Sequence, residues 1–202
     1  MPENILLNIP IPPEKPTPPH PNWRENPEIL SILEADPIIE KIIMAESSGR
    51  ADIQDSPKGA RGLMQIMPVT AEGKIDEDTG EQLYAHGMYG IRLDRDELYD
   101  PVKNIKFGST YFKRLRDSFG GNNYDALIAY NWGPENYRKW KAGGKYKVSD
   151  GKGGEKIIEY TGSSFKELPK ETRDYVTKIL GVKKRTGGMM SRNPYPHNPR
   201  PI

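Results

Sequence analysis

Apolar positions in the central part of the chain recur at helical spacing. Three isoleucines at i, i+3 and i+4 and a glutamate at i+7 share one face of a predicted helix, at Ile39, Ile42, Ile43 and Glu46. Asp36 precedes this face as the predicted N-cap, Pro37 takes the first helical position, and Gly49 ends the helix. The pattern therefore predicts a buried isoleucine stripe with a carboxylate on its last turn.

The same combination of caps, apolar stripes and terminal glycines predicts four further helices, over residues 101–119, 123–131, 134–140 and 169–180. One segment changes to the period of a strand. Alternating apolar residues near 146–148 and 158–160 flank a glycine-rich turn and predict a β-hairpin. Together these elements predict a mainly α domain over residues 28–185, with one small hairpin and a long insert near 71–98.

Proline is concentrated at the two ends of the chain. Of 19 prolines, nine lie in residues 1–27 and four in residues 194–202. Such tracts lack regular backbone donors and favour extended, solvated polyproline conformations. We therefore expect a disordered proline-rich arm over 1–27, the folded domain over 28–185 and a disordered, basic proline-rich tail over 186–202.

The distribution of charge argues against nucleic acid as a partner. The chain has 30 basic and 28 acidic residues, a net charge of +2, but residues 182–202 contribute five basic residues and no acidic one. The rest of the chain is therefore at −3, whereas phosphate binding needs a basic folded surface. The basic end is interpreted either as a contact for an anionic polymer or membrane surface, or as a solvated end.

The residue content argues against disulfides, a metal centre, a membrane span and a standard signal peptide. The chain has no cysteine, and its three histidines are scattered at His20, His86 and His197, so neither a disulfide framework nor a metal centre built on these residues is expected. No apolar stretch approaches the ~20 residues that a membrane span requires. The N-terminus lacks the basic leader and long apolar segment of a standard signal peptide.

Glu46 is the first candidate for chemistry. A carboxylate that continues an isoleucine stripe at a helix C-terminus is shifted toward its neutral form by desolvation and by the negative end of the helix dipole. A general acid needs such an environment in order to hold a proton near neutral pH. From this helix alone, a glutamate that extends into solvent is an equally simple interpretation.

Two later segments carry polar groups among apolar and aromatic residues. In residues 56–68, glycines permit close backbone approach, and Gln65 is a single amide in an apolar run that suits it to orient a polar ligand. A loop with a core-facing methionine pair is the alternative. Tyr130 and Asn131 stand at a predicted helix end, where they either face a groove that packs sugar rings or belong to the aromatic core.

Taken together, these segments resemble the four motifs of soluble-type lytic transglycosylases, in the order of that family. The matching stretches are Glu46-Ser47, SPKGARGLMQIMP at 56–68, AYNWGP at 129–134 and ETRDYV at 171–176. The stretch LYDPVKNIKFG at 98–108 is also similar to the helix between the second and third motifs of the family. The resemblance covers residues 36–181. It implies a lysozyme-like α fold that cleaves the β-1,4 bond between N-acetylmuramic acid and N-acetylglucosamine in peptidoglycan.

The resemblance also implies roles for individual residues. Glu46 corresponds to the single catalytic acid and base, which forms a 1,6-anhydromuramic product without metal or cofactor. The residues implied to contact the glycan strand are Ser47, Ser56, Gln65, Met67, Tyr130, Asn131 and Tyr175. Two features depart from the family pattern. Glu46 and Ser56 are one residue further apart than the commonest spacing, and Trp132 stands where a small residue is usual, which we expect to narrow or extend the groove.

Two alternative functions stay open at this point. A hydrolytic muramidase of lysozyme type would share Glu46 but deliver water with a second carboxylate, for which Asp52 and Asp55 are the nearest candidates. Because their loop is polar, we expect both to face solvent. The other alternative is a peptidoglycan-binding assembly component without catalytic activity.

The site of action raises the question of delivery. Peptidoglycan lies outside the cytoplasmic membrane, and without an evident export signal we expect a phage virion component, a phage lysis enzyme or cargo of a secretion machine. The proline-rich ends are then expected to dock the enzyme onto a virion or secretion assembly. The insert near 71–98 and the hairpin near 145–162 are expected to rim the cleft.

Overall fold

The computed structural model describes residues 22–75, 82–83, 92–149 and 152–181. Most of the proline-rich arm, the basic tail from 182 onward and most of the predicted insert lie outside these described residues. Within them the chain is mainly helical, as predicted. The helices are α1 (Pro27–Ala35), α2 (Ile38–Glu46), α3 (Pro68–Glu72), α4 (Pro101–Ser118), α5 (Asn123–Trp132), α6 (Pro134–Ala142) and α7 (Lys170–Leu180).

Two small antiparallel hairpins accompany the helices in the part of the chain that the structure describes. Strands β1 (Lys74–Ile75) and β2 (Gln82–Leu83) pair within the insert. The predicted hairpin is confirmed as β3 (Gly144–Ser149) and β4 (Glu155–Tyr160), paired in a register that sets Tyr146 opposite Ile158. Among the described residues, no helix is long and apolar enough to cross a membrane.

The start of α2 differs from the prediction. Pro37 occupies the N-cap position, and no side chain caps the helix, so the assignment of Asp36 as its N-cap is wrong. The Asp36 carboxylate instead forms an ion pair with Arg116 of α4, at 2.7 Å between Oδ2 and Nη2. Asp36 therefore ties the α1–α2 junction to α4. The Asp100 N-cap was predicted correctly, since its Oδ1 accepts from the backbone N–H groups of Val102 and Lys103.

Helix α1 was not predicted, although it has the same local signal as α4. The Asn26 side chain accepts from the N–H groups of Glu28 and Ile29, and Pro27 takes the first helical position. Just before it, Trp23 is 3% exposed and packs in the main core. The packed domain thus extends ahead of the predicted boundary at residue 28, because the abundance of proline in this part of the chain hides a local helix start.

The core is centred on α5. Four successive residues, 126–129, are fully buried, so this helix is enclosed on every side of its first turns. It packs against α4, α6 and α7, and α2 packs against α7. The isoleucine stripe of α2 is buried as predicted, at Ile39, Ile42 and Ile43. This arrangement brings the end of α2 beside one face of α7 and the last turn of α5.

Candidate active site

Glu46 is the last residue of α2 and lies in a desolvated position between helices. Burial raises the pKa of Glu46 to about 7, and the nearby charge of Glu171 acts in the same direction. The Tyr175 hydroxyl and the Lys178 ammonium act in the opposite direction without cancelling the effect of burial. Glu46 is thus a carboxyl group that exchanges its proton close to neutral pH. Glu46 is partly buried, so it does not extend freely into solvent.

Two tyrosines from different helices lie within the electrostatic field of Glu46. Tyr175 of α7 and Tyr130 of α5 both have a pKa well above the usual value, because burial is reinforced by the Glu46 charge. Tyr175 is 9% exposed, and its hydroxyl makes no hydrogen bond of standard geometry to the described residues. Its effect on the Glu46 pKa nevertheless places it beside that carboxyl group. Both phenols therefore stay protonated next to Glu46.

Tyr130 is oriented by a hydrogen bond and by aromatic contacts. Its hydroxyl donates to the backbone carbonyl of Met64 at 2.8 Å. Its ring packs against Tyr111 at 5.6 Å and edge-on against Phe112 at 6.0 Å, both on α4. Because the Tyr130 proton is committed to Met64, its oxygen lone pairs are left as acceptors near Glu46.

The loop that carries Met64 is tightly folded. The backbones of Arg61 and Ile66 exchange two hydrogen bonds of 2.9 Å. Gln65 has a φ of 47°, in the left-handed region that non-glycine residues rarely adopt, and its side-chain amide donates to the carbonyl of Gly62 at 2.9 Å. A strained residue of this kind persists only where its surroundings fix it, and such residues are concentrated at functional sites.

Asn104 of α4 holds this loop in place through side-chain hydrogen bonds to its backbone. Asn104 is fully buried, and its Oδ1 accepts from the N–H of Met64 at 2.8 Å. Its Nδ2 donates to the carbonyls of Arg61 at 3.0 Å and Leu98 at 2.9 Å. A Cβ at Gly62 would overlap the Asn104 side chain, so the glycine is required for this close approach. The role of Asn104 in the site was missed by sequence reasoning, although it stands in the stretch 98–108 that resembles the family.

Ser47 needs a correction. The resemblance implied that it contacts the glycan, but Ser47 is 1% exposed and its hydroxyl donates to the carbonyl of Ile43 at 3.0 Å. The same oxygen accepts from the N–H of Gly49 at 3.2 Å. Ser47 thus holds the turn that follows Glu46, and both hydrogen bonds of its hydroxyl group lie within α2 and that turn.

Ser56, Met67 and Asn131 are partly buried. The Ser56 hydroxyl accepts from the N–H of Ala60 at 2.9 Å and closes its own loop, and the Met67 carbonyl begins α3. No hydrogen bond among the described residues joins any of the three to Glu46. Asn131 follows Tyr130 on the last turn of α5. Their contacts with a glycan strand stay predictions.

The candidate second carboxylates differ from each other. Asp52 is exposed, as predicted. Asp55 is partly buried, accepts from the Tyr99 hydroxyl at 2.9 Å and lies 3.4 Å from Nε of Arg61, so its expected solvent-facing role is wrong. The Arg61 guanidinium also stacks over the Tyr99 ring, at 4.9 Å from the centroid. Asp55 is therefore engaged in a structural network.

Trp132 lies at the end of α5 and contacts the β3–β4 hairpin. Its ring meets Tyr160 edge-on at 5.9 Å, and Tyr160 in turn packs against Tyr146 at 6.1 Å. The hairpin is thus attached to the same helix end that carries Tyr130 and Asn131. The expectation that Trp132 alters the groove stays a prediction.

Comparison with known proteins identifies relatives for much of this chain. A family model described as the transglycosylase SLT domain matches residues 34–150. The soluble lytic murein transglycosylase of Escherichia coli (strain K12) is 31% identical over 126 residues, which cover 62% of this chain and 16% of that protein. The transglycosylase of enterobacteria phage PRD1 is 32% identical over 115 residues, 57% of this chain and 34% of that protein.

A solved structure is also similar. An inactive Glu-to-Gln variant of the lytic transglycosylase Slt from Pseudomonas aeruginosa aligns with a TM-score of 0.50 and 27% identity, covering 75% of this chain and 22% of that chain. The chain therefore spans only a small part of these relatives, 16% of the Escherichia coli protein. The matched part contains the helices that carry Glu46 and Tyr130.

Proposed function

The chain belongs to the transglycosylase SLT-domain family and has a lysozyme-like, mainly α fold, and from this premise we propose that it is a peptidoglycan lytic transglycosylase. Its substrate is the glycan strand, and its target is the β-1,4 bond between N-acetylmuramic acid and N-acetylglucosamine. Glu46 is the single catalytic acid and base. The Escherichia coli relative and the Pseudomonas aeruginosa structure are both named as lytic transglycosylases.

The observation that carries the proposal is the state of Glu46. Burial raises its pKa to about 7, so at neutral pH a large fraction of the molecules hold the proton that a general acid must give. The two neutral phenols of Tyr130 and Tyr175 stand beside this carboxyl and add no charge. A solvated glutamate would be almost entirely ionised at the same pH.

The reaction proceeds in two steps on one carboxyl group. In the first step, Glu46 gives its proton to the glycosidic oxygen as the bond from that oxygen to C1 of the muramic acid breaks. The N-acetyl group of the substrate stabilises the developing positive charge at C1, as in substrate-assisted glycosidases. In the second step, the Glu46 carboxylate takes the proton of the O6 hydroxyl, and O6 bonds to C1. The 1,6-anhydro ring closes, Glu46 regains its proton, and no water is consumed.

Tyr175 is suited to stabilise the Glu46 carboxylate that exists between the two proton transfers. Its hydroxyl is buried, lies beside Glu46 and makes no standard hydrogen bond to the described residues, so it has a proton to donate when Glu46 becomes a carboxylate. Tyr130 acts differently, because its proton is bonded to Met64. It positions the wall of the site, and its oxygen lies within the electrostatic field of Glu46.

Hydrolysis by a lysozyme-type mechanism is less well supported. That mechanism pairs the acid with a second carboxylate that activates water or attacks C1. Asp55 is bound to Tyr99 and Arg61, and Asp52 is exposed, so neither has the environment expected of such a partner. A carboxyl group that serves first as acid and then as base needs no partner.

Mass spectrometry of digested peptidoglycan tests the proposal. Products with a 1,6-anhydro ring are lighter by one water than the products of hydrolysis. We expect the wild-type chain to release only the lighter products and the Glu46→Gln variant to release none. Heavier products from the wild type would instead identify a muramidase. Unchanged release by Glu46→Gln would remove Glu46 from its catalytic role, and absence of any release by the wild type would favour the non-catalytic binding function.

The ends of the chain are proposed as docking segments. We propose that the enzyme acts on the cell wall from the periplasmic side and that its proline-rich ends attach it to a virion or secretion assembly. The phage transglycosylase among its relatives is consistent with a phage source. Removal of residues 1–21 and 182–202 is expected to spare activity on isolated peptidoglycan while impairing localisation. Loss of activity on the isolated polymer would contradict this proposal.

A further inference from the structure

Trp23 makes a long-range contact with the turn that follows Glu46. The indole Nε1–H of Trp23 donates to the backbone carbonyl of Gly49 at 3.1 Å. The Trp23 ring is 3% exposed, and the bond it donates is partly buried. Trp23 lies outside residues 34–150, which match the family model, so this contact comes from a part of the chain beyond the matched region.

The turn itself is unusual in its backbone. Ser48 has a φ of 56° and Gly49 a φ of 75°, so two successive residues adopt the left-handed conformation directly after α2. For Ser48 this conformation is strained. The Ser47 hydroxyl forms hydrogen bonds with both Ile43 and Gly49. Among the described residues, Trp23 is the only side chain that donates to the Gly49 carbonyl. Trp23 thus anchors the far end of a strained turn.

Arg24 packs over the Trp23 ring and over Gly49. Its guanidinium stacks over the Trp23 ring, 4.0 Å from the centroid, and its Nη2 lies 3.4 Å from the sulfur of Met44 on α2. A Cβ at Gly49 would come within 2.6 Å of the same guanidinium, so the side chain lies directly over the turn. The Trp23–Arg24 pair therefore contacts both the last turn of α2 and the residues that follow it.

We propose that Trp23 is a positioning residue for Glu46, which acts through the Gly49 carbonyl to keep the end of α2 closed against water. The proposal rests on the proposed function of Glu46. Among the residues that the structure describes, the charged and titratable groups that act on Glu46 are Tyr130 on α5 and Tyr175, Glu171 and Lys178 on α7. None of these is altered by a change at Trp23. A shift in the titration of Glu46 after such a change would therefore report altered solvation at the end of α2.

The test compares Trp23→Phe with Trp140→Phe in the full-length chain. Trp140 is a matched control, because it is 1% exposed and its Nε1–H donates at 3.1 Å to Glu167, on elements that do not carry Glu46. Both variants keep an aromatic ring and lose one indole hydrogen bond. We expect Trp23→Phe to lower kcat roughly fivefold to tenfold with KM unchanged, as the loss of one buried hydrogen bond predicts.

The pH profile separates positioning from general stabilisation. Activity falls as Glu46 loses its proton, so the basic limb of the kcat/KM profile follows its pKa in the free enzyme, about 7. When water enters at the loosened turn, desolvation weakens and this limb moves to lower pH in Trp23→Phe. In Trp140→Phe the limb stays in place, even if the melting temperature falls as much or more.

Other outcomes overturn the proposal. If Trp23→Phe lowers the melting temperature but leaves kcat and the basic limb as in the wild type, Trp23 is structural only. Should Trp23→Phe fail to fold, Trp23→Tyr keeps a larger ring and also loses the indole hydrogen bond, and an unmoved limb in that variant would refute the proposal. A Glu46→Gln variant measured in parallel distinguishes failure of the proposed function from failure of the positioning role. If it retains activity, the proposed function fails, whereas its inactivity with a wild-type-like Trp23→Phe contradicts only the positioning role.

Discussion

The Tyr130 hydroxyl and the Met64 carbonyl are joined by a hydrogen bond of 2.8 Å between residues 66 positions apart in the chain. Met64 uses both of its backbone groups in this way, because its N–H donates to Asn104 at 2.8 Å. One residue thus links α4, the loop 61–66 and α5, and its side chain fills the space left by Gly108, where a Cβ would lie 2.5 Å from the Met64 sulfur. The wall of the site beside Glu46 is built on this link.

Tyr130→Phe removes the link while keeping the ring. We expect kcat to fall about tenfold with little change in KM, because the Met64 carbonyl loses its partner and Glu46 loses a nearby acceptor. Tyr146→Phe is the matched control, since its hydroxyl also donates to a backbone carbonyl, that of Gly143, at 2.9 Å in the hairpin. Steady-state rates on purified glycan strands give both values. Equal losses in the two variants would show that Tyr130 has no special role.

Asn104→Ala tests the foundation of the same wall. The change removes the Asn104 partner of the Met64 N–H and of the Leu98 carbonyl, and leaves the Arg61 carbonyl with only its bond from Ile66, so we expect the free energy of unfolding to fall by about 2–4 kcal/mol. Asn136→Ala removes a single exposed hydrogen bond, from Nδ2 to the carbonyl of Trp132, and we expect it to cost less than about 1 kcal/mol. Urea denaturation measures both. A loss in Asn104→Ala as small as in the control would mean that the loop does not depend on Asn104.

Local patterns explain which parts of this molecule could be predicted. The isoleucine stripe of α2 and the Asp100-Pro101 start of α4 depend only on residues close together in the sequence, and both were predicted correctly. Asn26-Pro27 carries the same signal as Asp100-Pro101 and begins α1, but it stands in a proline-rich setting that favours extended chain. Composition outweighed the cap in that prediction, and the cap was the better guide.

Tertiary contacts explain what could not be predicted. Asn104 and Met64 are 40 positions apart, and nothing in the neighbourhood of either residue reveals that one buried amide serves both. Ser47 follows Glu46 directly, yet its hydroxyl turns back to the Ile43 carbonyl, which also accepts the backbone N–H of Ser47 at 3.0 Å. The family resemblance is confirmed for the chain as a whole, and the fold adds which side chains lie near Glu46 and which hold the backbone.

Trp132→Ala tests the role of the β3–β4 hairpin. Its ring packs edge-on against Tyr160, so its removal loosens the attachment of the hairpin to the end of α5. If the hairpin closes one end of the groove, we expect a changed length distribution of released glycan fragments, measured by chromatography, at similar total turnover. Ile157→Ala on the same hairpin is the control, because Ile157 is 69% exposed. An unaltered distribution in Trp132→Ala would indicate that the hairpin is peripheral to the groove.

The pKa of Glu46 also predicts how stability depends on pH. Between the ordinary carboxyl pKa of 4.5 and the raised value of about 7, the folded protein holds a proton that the unfolded chain has released. Stability therefore falls as pH rises through this range, since the folded state binds more protons than the unfolded state. Above it, the buried charge costs about 3 kcal/mol, since each pKa unit corresponds to roughly 1.4 kcal/mol. Glutamine carries no charge at any pH, so Glu46→Gln removes this cost.

We accordingly expect Glu46→Gln to be inactive but more stable than the wild type at pH 8, with little difference between them at pH 4. Urea denaturation at the two pH values measures the difference in free energy of unfolding. Glu40→Gln on the same helix is the control, because Glu40 is exposed and we expect its substitution to have little effect on this pH dependence. Equal stability of Glu46→Gln and wild type at pH 8 would show that Glu46 is solvated in the free protein. Its readiness to act as an acid near neutral pH would then need another source, such as the bound glycan strand.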